Sequence, residues 1–156
     1  MEKLASSPAW MKVSELEIIY KPKIRASERP QIKASNDAYK LFLASWDMGK
    51  IELLEQFKVM ALNNANRVLG ICEISSGTIS ATIVDPKLVF GLLLKAGASS
   101  AIISHCHPSG NLKPSNSDVQ MTHKICEGGK LLDIKILDHL IITPESYYSF
   151  ADDGAI

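Results

Sequence analysis

Hydrophobic and polar residues first alternate over positions 12–20, and this pattern indicates a strand. The next stretch, 21–30, is basic and contains proline, which predicts a connection. Cap-type residues at 35–37 precede apolar positions at helical spacing, so we expect one amphipathic helix that ends near Gly49. A short helical turn is predicted at 51–54.

A β-hairpin is predicted in the middle of the chain. Apolar residues alternate over 57–62, an asparagine-rich cluster at 63–66 favours a turn, and the strand pattern resumes over 67–74. A second turn is predicted at 75–77, and a third consecutive strand is expected at 79–84.

The next element has clear helix boundaries. Asp85 and Pro86 are typical of an N-cap and a first helical position, and Gly97 favours a C-terminal stop. We therefore expect a mostly buried helix over 87–96. A short apolar strand of the buried type is predicted at 99–104.

Proline, glycine, asparagine and serine are concentrated in 106–116, which predicts a loop. A helix is predicted at about 117–132 and a strand at 135–142, followed by a tail that is aromatic and then acidic. Strands and helices are interleaved without strict alternation, and no repeat is visible. The pattern therefore predicts an α/β domain with a mixed sheet in two or three layers.

Composition and charge narrow the class of protein. A chain of 156 residues, 46% apolar and 22% charged, fits one globular domain, which we place at 13–156 after a flexible leader at 1–12. Lys and Arg total 17, as do Asp and Glu, so the net charge is zero. This balance argues against a general polyanion binder, and nucleic acid stays open as a partner without support from charge.

Targeting signals are not recognisable in the sequence. No apolar run approaches the roughly 20 residues that span a bilayer, and the first residues lack the apolar region of a secretory signal. We expect a cytoplasmic protein with no membrane partner, and a homodimer is left open. Cys72, Cys106 and Cys126 are an odd, widely spaced set, which favours a reducing compartment over a disulfide framework.

The segment after the strand at 99–104 carries the candidate chemistry. His105 and His107 are two apart at a strand end, so both imidazoles emerge on one face. The following loop can fold back so that Asp118, in the first helical turn, adds a carboxylate oxygen. Two His and one Asp suit zinc and leave a fourth position open for water, as in catalytic sites.

Zinc in such a site lowers the pKa of bound water to about 7, which makes a hydroxide nucleophile available. The reaction also needs a carboxylate as proton carrier. Ser115 is placed to stabilise an oxyanion, although Ser115 and Asp118 also form an S-x-x-D capping pair. Both roles are compatible. An H-x-H pair alone is weak evidence, but the joint spacing H-x-H-x(7)-S-x(2)-D favours a metal site.

This string resembles the JAMM motif of JAB/MPN-type metalloprotease domains. It is most similar to the RadC-like branch, whose signature is H-N-H-P-S-G followed by P-S-x-x-D. The resemblance extends from about Val13 to Gly154, and it implies a JAB1/MPN-like (cytidine-deaminase-like) fold, in which helices flank a mixed sheet. The other matching segments are Ser27 to Pro30, Asp37 to Tyr39, Glu55 to Val59, Asn66 to Val68, Gly77-Thr78, Asp85-Pro86, Leu137 to Ile142 and Tyr147 to Phe150.

The resemblance also implies roles for individual residues. His105, His107 and Asp118 would bind one zinc ion per chain, with Ser115 as the hydroxyl that supports the intermediate. Glu55, in an E-x-F-x-V context, would be the general acid/base.

The residues alone do not choose this base. Glu52 and Glu73 are also available, and Glu73, deeper in the second hairpin strand, is the reserve candidate.

Cys106 stands where the family usually has asparagine between the two histidines. Strand alternation points its thiol away from the ligand face, so we expect a packed small residue and not a fourth ligand. The longer relatives carry an N-terminal helix-hairpin-helix region, for which this sequence has no room. Asp138 and His139 are expected to be structural, with a hydrogen bond to a metal ligand as the alternative.

Two functions from different classes follow. The first is a zinc-dependent hydrolase of peptide or isopeptide bonds, in which metal-bound hydroxide attacks the carbonyl of an unidentified peptide or protein. The alternative is a DNA-repair or mobile-element accessory protein whose zinc site is structural or vestigial. Nucleobase deamination ranks last, because the H-x-E and P-C-x-x-C strings that it requires do not occur.

Overall fold

A computed structural model describes residues 23–79 and 81–156. A short 3-10 turn at Ala26–Glu28 precedes three α-helices and five strands in the described chain. In chain order these are α1 Ser35–Ser45, β1 Gln56–Leu62, β2 Val68–Ser76, α2 Pro86–Ala96, β3 Ser100–Cys106, α3 Asn116–Leu131, β4 Lys135–Ile142 and β5 Tyr147–Ser149.

The strands form a single mixed sheet in the order β2-β1-β3-β4-β5. Strands β3 and β4 are parallel and are connected through α3, whereas the other neighbouring pairs are antiparallel. The predicted α/β domain with a mixed sheet between helices is therefore confirmed.

Each face of the sheet has its own apolar core. On one face, Phe42 and Trp46 at the end of α1 pack with Met60 and Ile102 of the sheet. On the other, β1, β3 and the helices α2 and α3 enclose a second cluster that includes Phe57. The outcome is a three-layer arrangement, and alternation along each strand decides which core a side chain joins.

The boundaries of α2 confirm the predicted capping chemistry. The Asp85 carboxylate accepts a hydrogen bond from the backbone N–H of Lys87 at 2.9 Å, and Pro86 is the first helical residue. Gly97 adopts a left-handed conformation with φ of 66° and ends the helix. Helix α1, in contrast, ends at Ser45 and not near Gly49, and residues 47–54 form turns.

The predicted third strand at 79–84 is wrong. Where the structure describes it, this segment lies outside the sheet, and the chain turns where the Thr78 N–H bonds to the Ala81 carbonyl. The side chains of Ile79 and Ile83 are 69% and 88% exposed, respectively. Their β-branched pattern therefore has no buried face to fill, and strand propensity depends on such a face. Conversely, the short strand β5 at Tyr147–Ser149 was not predicted.

The strand predicted at 12–20 and the leader at 1–12 lie outside the described residues. None of the helices in the described parts of the chain is long and apolar enough to cross a membrane.

Candidate metal centre

The site lies where β3 ends and α3 begins. His105 is the penultimate residue of β3, and His107 follows the strand directly, with its backbone N–H bonded to the Ile142 carbonyl of β4. Asp118 lies in the first turn of α3, after the loop predicted at 106–116. The parallel β3-α3-β4 connection thus brings the loop and the helix start over the end of the strand.

His105, His107 and Asp118 meet at one point. One donor atom from each residue lies within 4.8 Å of the other two. The two Nε2 atoms are 2.9 Å apart, and Asp118 Oδ1 is 3.2 Å from His105 Nε2. At this separation the nitrogen lone pairs repel each other unless a proton or a cation lies between them, so the two nitrogens either share a hydrogen bond or bind a common cation.

The Nδ1 atom of His107, on the side of the ring away from the cluster, already has a hydrogen-bond partner. Its Nδ1–H donates to the backbone carbonyl of Asn111 at 2.5 Å, which turns Nε2 toward the other donors. Burial lowers the pKa of His107, but contacts with Asp118 and Asn111 and the charge of Glu55 raise it above its usual value. A metal ion would therefore have to displace a proton that this environment favours.

The Asp118 carboxylate is oriented by the residue that caps its helix. The backbone N–H and the hydroxyl of Ser115 both donate to Oδ2, each at 2.7 Å, while Oδ1 faces His105. Burial tends to raise the pKa of Asp118, but the contacts with His105, His107 and Ser115 hold it well below its usual range. The carboxylate is thus anionic, as a metal ligand must be.

Behind His105 lies a second layer of polar contacts. His105 Nδ1 is 2.8 Å from His139 Nε2, and His139 Nδ1 is 2.6 Å from the Thr122 hydroxyl. Burial, followed by the neighbouring His105, lowers the pKa of His139 well below its usual value. For His139 the structure shows the alternative that the sequence left open, a hydrogen bond to a candidate ligand.

Asp138 has the expected structural role. Its carboxylate accepts hydrogen bonds from the Ser149 hydroxyl at 2.6 Å and the Ala151 N–H at 2.9 Å. These contacts connect β4 to the segment that contains β5.

Cys106 points to the opposite face of the sheet. Its side chain is buried in the core around α1, where Sγ accepts from the Gln56 N–H at 3.3 Å and donates to the Leu54 carbonyl at 3.2 Å. Burial raises the pKa of its thiol. The predicted packing is confirmed, and the thiol is not among the clustered donor atoms.

The register of the sheet separates the two candidate bases. Phe57 pairs with His105, so Glu55, two residues before Phe57, is placed toward the face of His105. Glu73 instead pairs with Lys58, on the other face, and its carboxylate accepts from the Gln56 side chain at 2.8 Å. The reserve candidate therefore lies away from the cluster.

A cavity of about 670 Å³ opens over the cluster. One wall comes from the loop after β3 and the start of α3, and the facing wall from residues 79 and 81–84, the segment that does not form a strand. The sequence-predicted residues that line this cavity are Glu55, His107, Ser115 and Asp118.

The sequence pattern did not indicate Thr122 as part of the site. Thr122 lies four residues after Asp118 in α3, on the same side of the helix, and its hydroxyl donates to the Asp118 carbonyl at 2.6 Å. Helical spacing could have suggested this residue, but its contact with His139 depends on how α3 packs on β4.

Comparison with known proteins agrees with this architecture. The model of the RadC-like JAB domain family matches residues 32–155 of the chain. That range contains the three α-helices and five strands that the structure describes, together with all five candidate site residues. The mixed sheet with three helices is that of a JAB/MPN-like domain.

Several curated relatives bear the name UPF0758 protein. The one from Flavobacterium johnsoniae is 54% identical over 100 residues, which cover 64% of this chain and 44% of the relative. The one from Fusobacterium nucleatum is 35% identical over 144 residues, or 89% of this chain and 61% of the relative. The one from Methanosarcina mazei is 39% identical over 131 residues, or 83% and 56%. This chain thus spans about half the length of the relatives that it matches.

Proposed function

This chain belongs to the RadC-like JAB domain family, and we propose that it is a zinc-dependent hydrolase of peptide or isopeptide bonds. The observation that carries the proposal is the convergence of His105, His107 and Asp118 beside an open cavity, which His107 and Asp118 line. Two imidazole nitrogens and one carboxylate oxygen are a donor set that zinc prefers, and three protein ligands are typical of catalytic zinc sites.

When bound, zinc lowers the pKa of water to about 7 and polarises a carbonyl oxygen. Glu55 would be the proton carrier for this chemistry. It is only partly buried and lines the same cavity as His107 and Asp118, and within the described residues no hydrogen bond holds its carboxylate. Glu55 would accept a proton from the attacking water and return it to the leaving amine nitrogen.

Ser115 would support the developing oxyanion. Its hydroxyl lies beside the donor cluster, 2.7 Å from Asp118 Oδ2 and 2.9 Å from the Ser117 hydroxyl. Rotation of this hydroxyl would present its proton to an oxygen in the cavity, a type of contact that typically contributes a factor of about 10² to the rate. The same oxygen also caps α3, so the residue would have two roles.

The test measures metal content and peptide cleavage on the same preparations. Untagged protein is loaded with zinc, freed of excess metal, and analysed by elemental mass spectrometry. We expect about one zinc per chain in wild type, and loss of that zinc in His107→Ala. His123→Ala is the matched control, because His123 is an exposed histidine of α3 outside the cluster.

Cleavage is then measured with a mixed peptide library and with isopeptide-linked substrates. Zinc-dependent product formation that disappears in His107→Ala and persists in His123→Ala would support the proposal. A wild-type chain that binds no zinc would overturn it. Zinc binding with no zinc-dependent cleavage of either substrate class would overturn the hydrolase assignment and favour a binding role.

A further inference from the structure

A chain of three hydrogen bonds lies behind His105, on the side away from the candidate metal position. His105 Nδ1 is 2.8 Å from His139 Nε2, and His139 Nδ1 is 2.6 Å from the Thr122 hydroxyl oxygen. That oxygen is in turn 2.6 Å from the backbone carbonyl oxygen of Asp118. The chain therefore begins at one candidate ligand and ends on the backbone of another.

The protons in this series of hydrogen bonds can be assigned by starting at the Asp118 carbonyl, which can only accept a hydrogen bond. A carbonyl oxygen only accepts, so the Thr122 hydroxyl donates its single proton to Asp118. At 2.6 Å two lone pairs cannot face each other, and His139 Nδ1 therefore carries a proton that it donates to Thr122. The direction of the Thr122–Asp118 bond thus determines the direction of the His139–Thr122 bond.

The direction of the remaining bond, between His105 and His139, follows because the His139 ring is neutral. The ring is completely buried and stacks on Phe150, with 4.8 Å between ring centroids and an interplanar angle of 8°. In the described part of the chain, no carboxylate lies in hydrogen-bond contact with it to balance a positive charge. Its Nε2 is therefore the acceptor, and His105 Nδ1–H is the donor.

We propose that Thr122 and His139 are positioning residues that hold His105 in the tautomer with its proton on Nδ1, so that the Nε2 lone pair points toward His107 Nε2, 2.9 Å away, where a proton or the metal can lie. This inference rests on the proposed zinc site. The proposal concerns which nitrogen of each ring carries the proton, and neither ring gains or loses a proton. The two nitrogens of an imidazole are chemically distinct, and the partner of one decides what the other can bind.

The opposite ordering would block the site. If His139 carried its proton on Nε2, it would donate to His105 Nδ1, and the His105 proton would move to Nε2. There it would point toward Asp118 Oδ1, which lies 3.2 Å away and would accept it. The oxygen of Thr122 opposes this state, because a bare His139 Nδ1 would then face it at 2.6 Å. Thr122 is therefore the residue that selects between the two orderings.

The first test places the protons in the metal-free protein. A long-range proton–nitrogen correlation spectrum distinguishes protonated from bare ring nitrogens by their 15N shifts, and the chain has only four histidines to assign. We expect both His105 and His139 to carry their protons on Nδ1, whereas exposed His123 follows the solution preference for Nε2. A wild-type His139 with its proton on Nε2 would overturn the inference.

The second test uses a matched pair at position 122. Thr122→Val removes the hydroxyl while retaining the β-branched shape, and Thr122→Ser retains the hydroxyl. We expect Thr122→Val to move the His139 proton to Nε2 and to weaken zinc binding, measured by chelator competition, about 10- to 100-fold. Thr122→Ser should keep the wild-type tautomers and an affinity close to wild type.

The outcomes separate this inference from the proposed function. Equal tautomers and equal zinc affinity in Thr122→Val and Thr122→Ser would overturn the inference, even if wild type is an active hydrolase. Wild-type protein that shows the expected tautomers but binds no zinc would support the proton ordering and overturn the proposed function. A purely structural role of Thr122 predicts a change in the unfolding midpoint of Thr122→Val without a change of tautomer, and that result would also overturn the inference.

Discussion

Phe57 lies directly opposite His105 where β1 pairs with β3. Because side chains alternate along a strand, this pairing places Glu55 toward the face of the candidate metal centre and Lys58 on the other. Glu73, opposite Lys58 in β2, is removed from the site by the same alternation. A shift of one residue in this pairing would exchange the two faces, so the register itself determines which carboxylate faces the candidate metal centre.

The first prediction separates these two carboxylates. Glu55→Gln should retain about one zinc per chain and lose at least about 10²-fold in kcat, because the amide cannot carry the proton. Glu73→Gln removes a carboxylate of the same size from the opposite face and should leave kcat within about twofold of wild type. Metal content and steady-state cleavage of the same substrate check both variants. A Glu55→Gln enzyme as fast as wild type would contradict the assigned role.

The second prediction concerns the two roles of Ser115. Ser115→Ala removes the cap of α3 and the hydroxyl beside the cluster, so we expect a loss of about 1 kcal/mol in unfolding free energy and of about 10²-fold in kcat. Asp37→Ala is the control for the stability effect, because the Asp37 carboxylate accepts N–H groups at the start of α1, across the sheet. Denaturant unfolding and cleavage kinetics are measured on both. Equal loss of kcat in the two variants would assign Ser115 to capping alone.

The third prediction tests whether the thiol of Cys106 binds metal. Cys106→Ala should keep the full zinc content, because Sγ lies in the core around α1 and bonds to the backbone of Leu54 and Gln56. The loss of this packing and of two hydrogen bonds should lower the unfolding free energy by about 1–2 kcal/mol. Cys126→Ala, at a half-buried position of α3, provides the comparison. A fall in zinc content specific to Cys106→Ala would identify the thiol as a ligand.

The fourth prediction contrasts two helical glycines. A Cβ added at Gly129 would lie 2.4 Å from the Ile134 carbonyl oxygen, where α3 turns into β4, and backbone cannot give way easily. Gly129→Ala should therefore lower the unfolding free energy by about 1–3 kcal/mol. A Cβ at Gly91 in α2 would meet nothing within 4 Å, and Gly91→Ala should raise stability by about 0.5–1 kcal/mol. Urea titrations of both variants check the opposite signs.

The candidate site could be predicted from the sequence because its chemistry is local. His105 and His107 share a face through the two-residue period of a strand, and Asp118 is held at the helix start by Ser115, three positions away. The capped helix α2 follows from similarly short-range rules. These features depend on neighbours along the chain, so patterns of residue types suffice to predict them.

The wrong prediction at 79–84 shows where that logic fails. Its β-branched residues favour a strand, yet whether a strand forms depends on a neighbouring edge and a buried face that the segment itself does not contain. In the structure this segment forms a wall of the cavity, with Ile83 exposed.

The donor residues, their spacing and most of the elements that carry them can be predicted from the amino-acid sequence. The three-dimensional packing is needed to see that Glu55 and not Glu73 faces the cluster, and that Thr122 and His139 lie behind His105. The physical reason is that both outcomes depend on strand register and on the packing of α3 against β4. Each brings together residues distant along the chain, and no local periodicity encodes their contact.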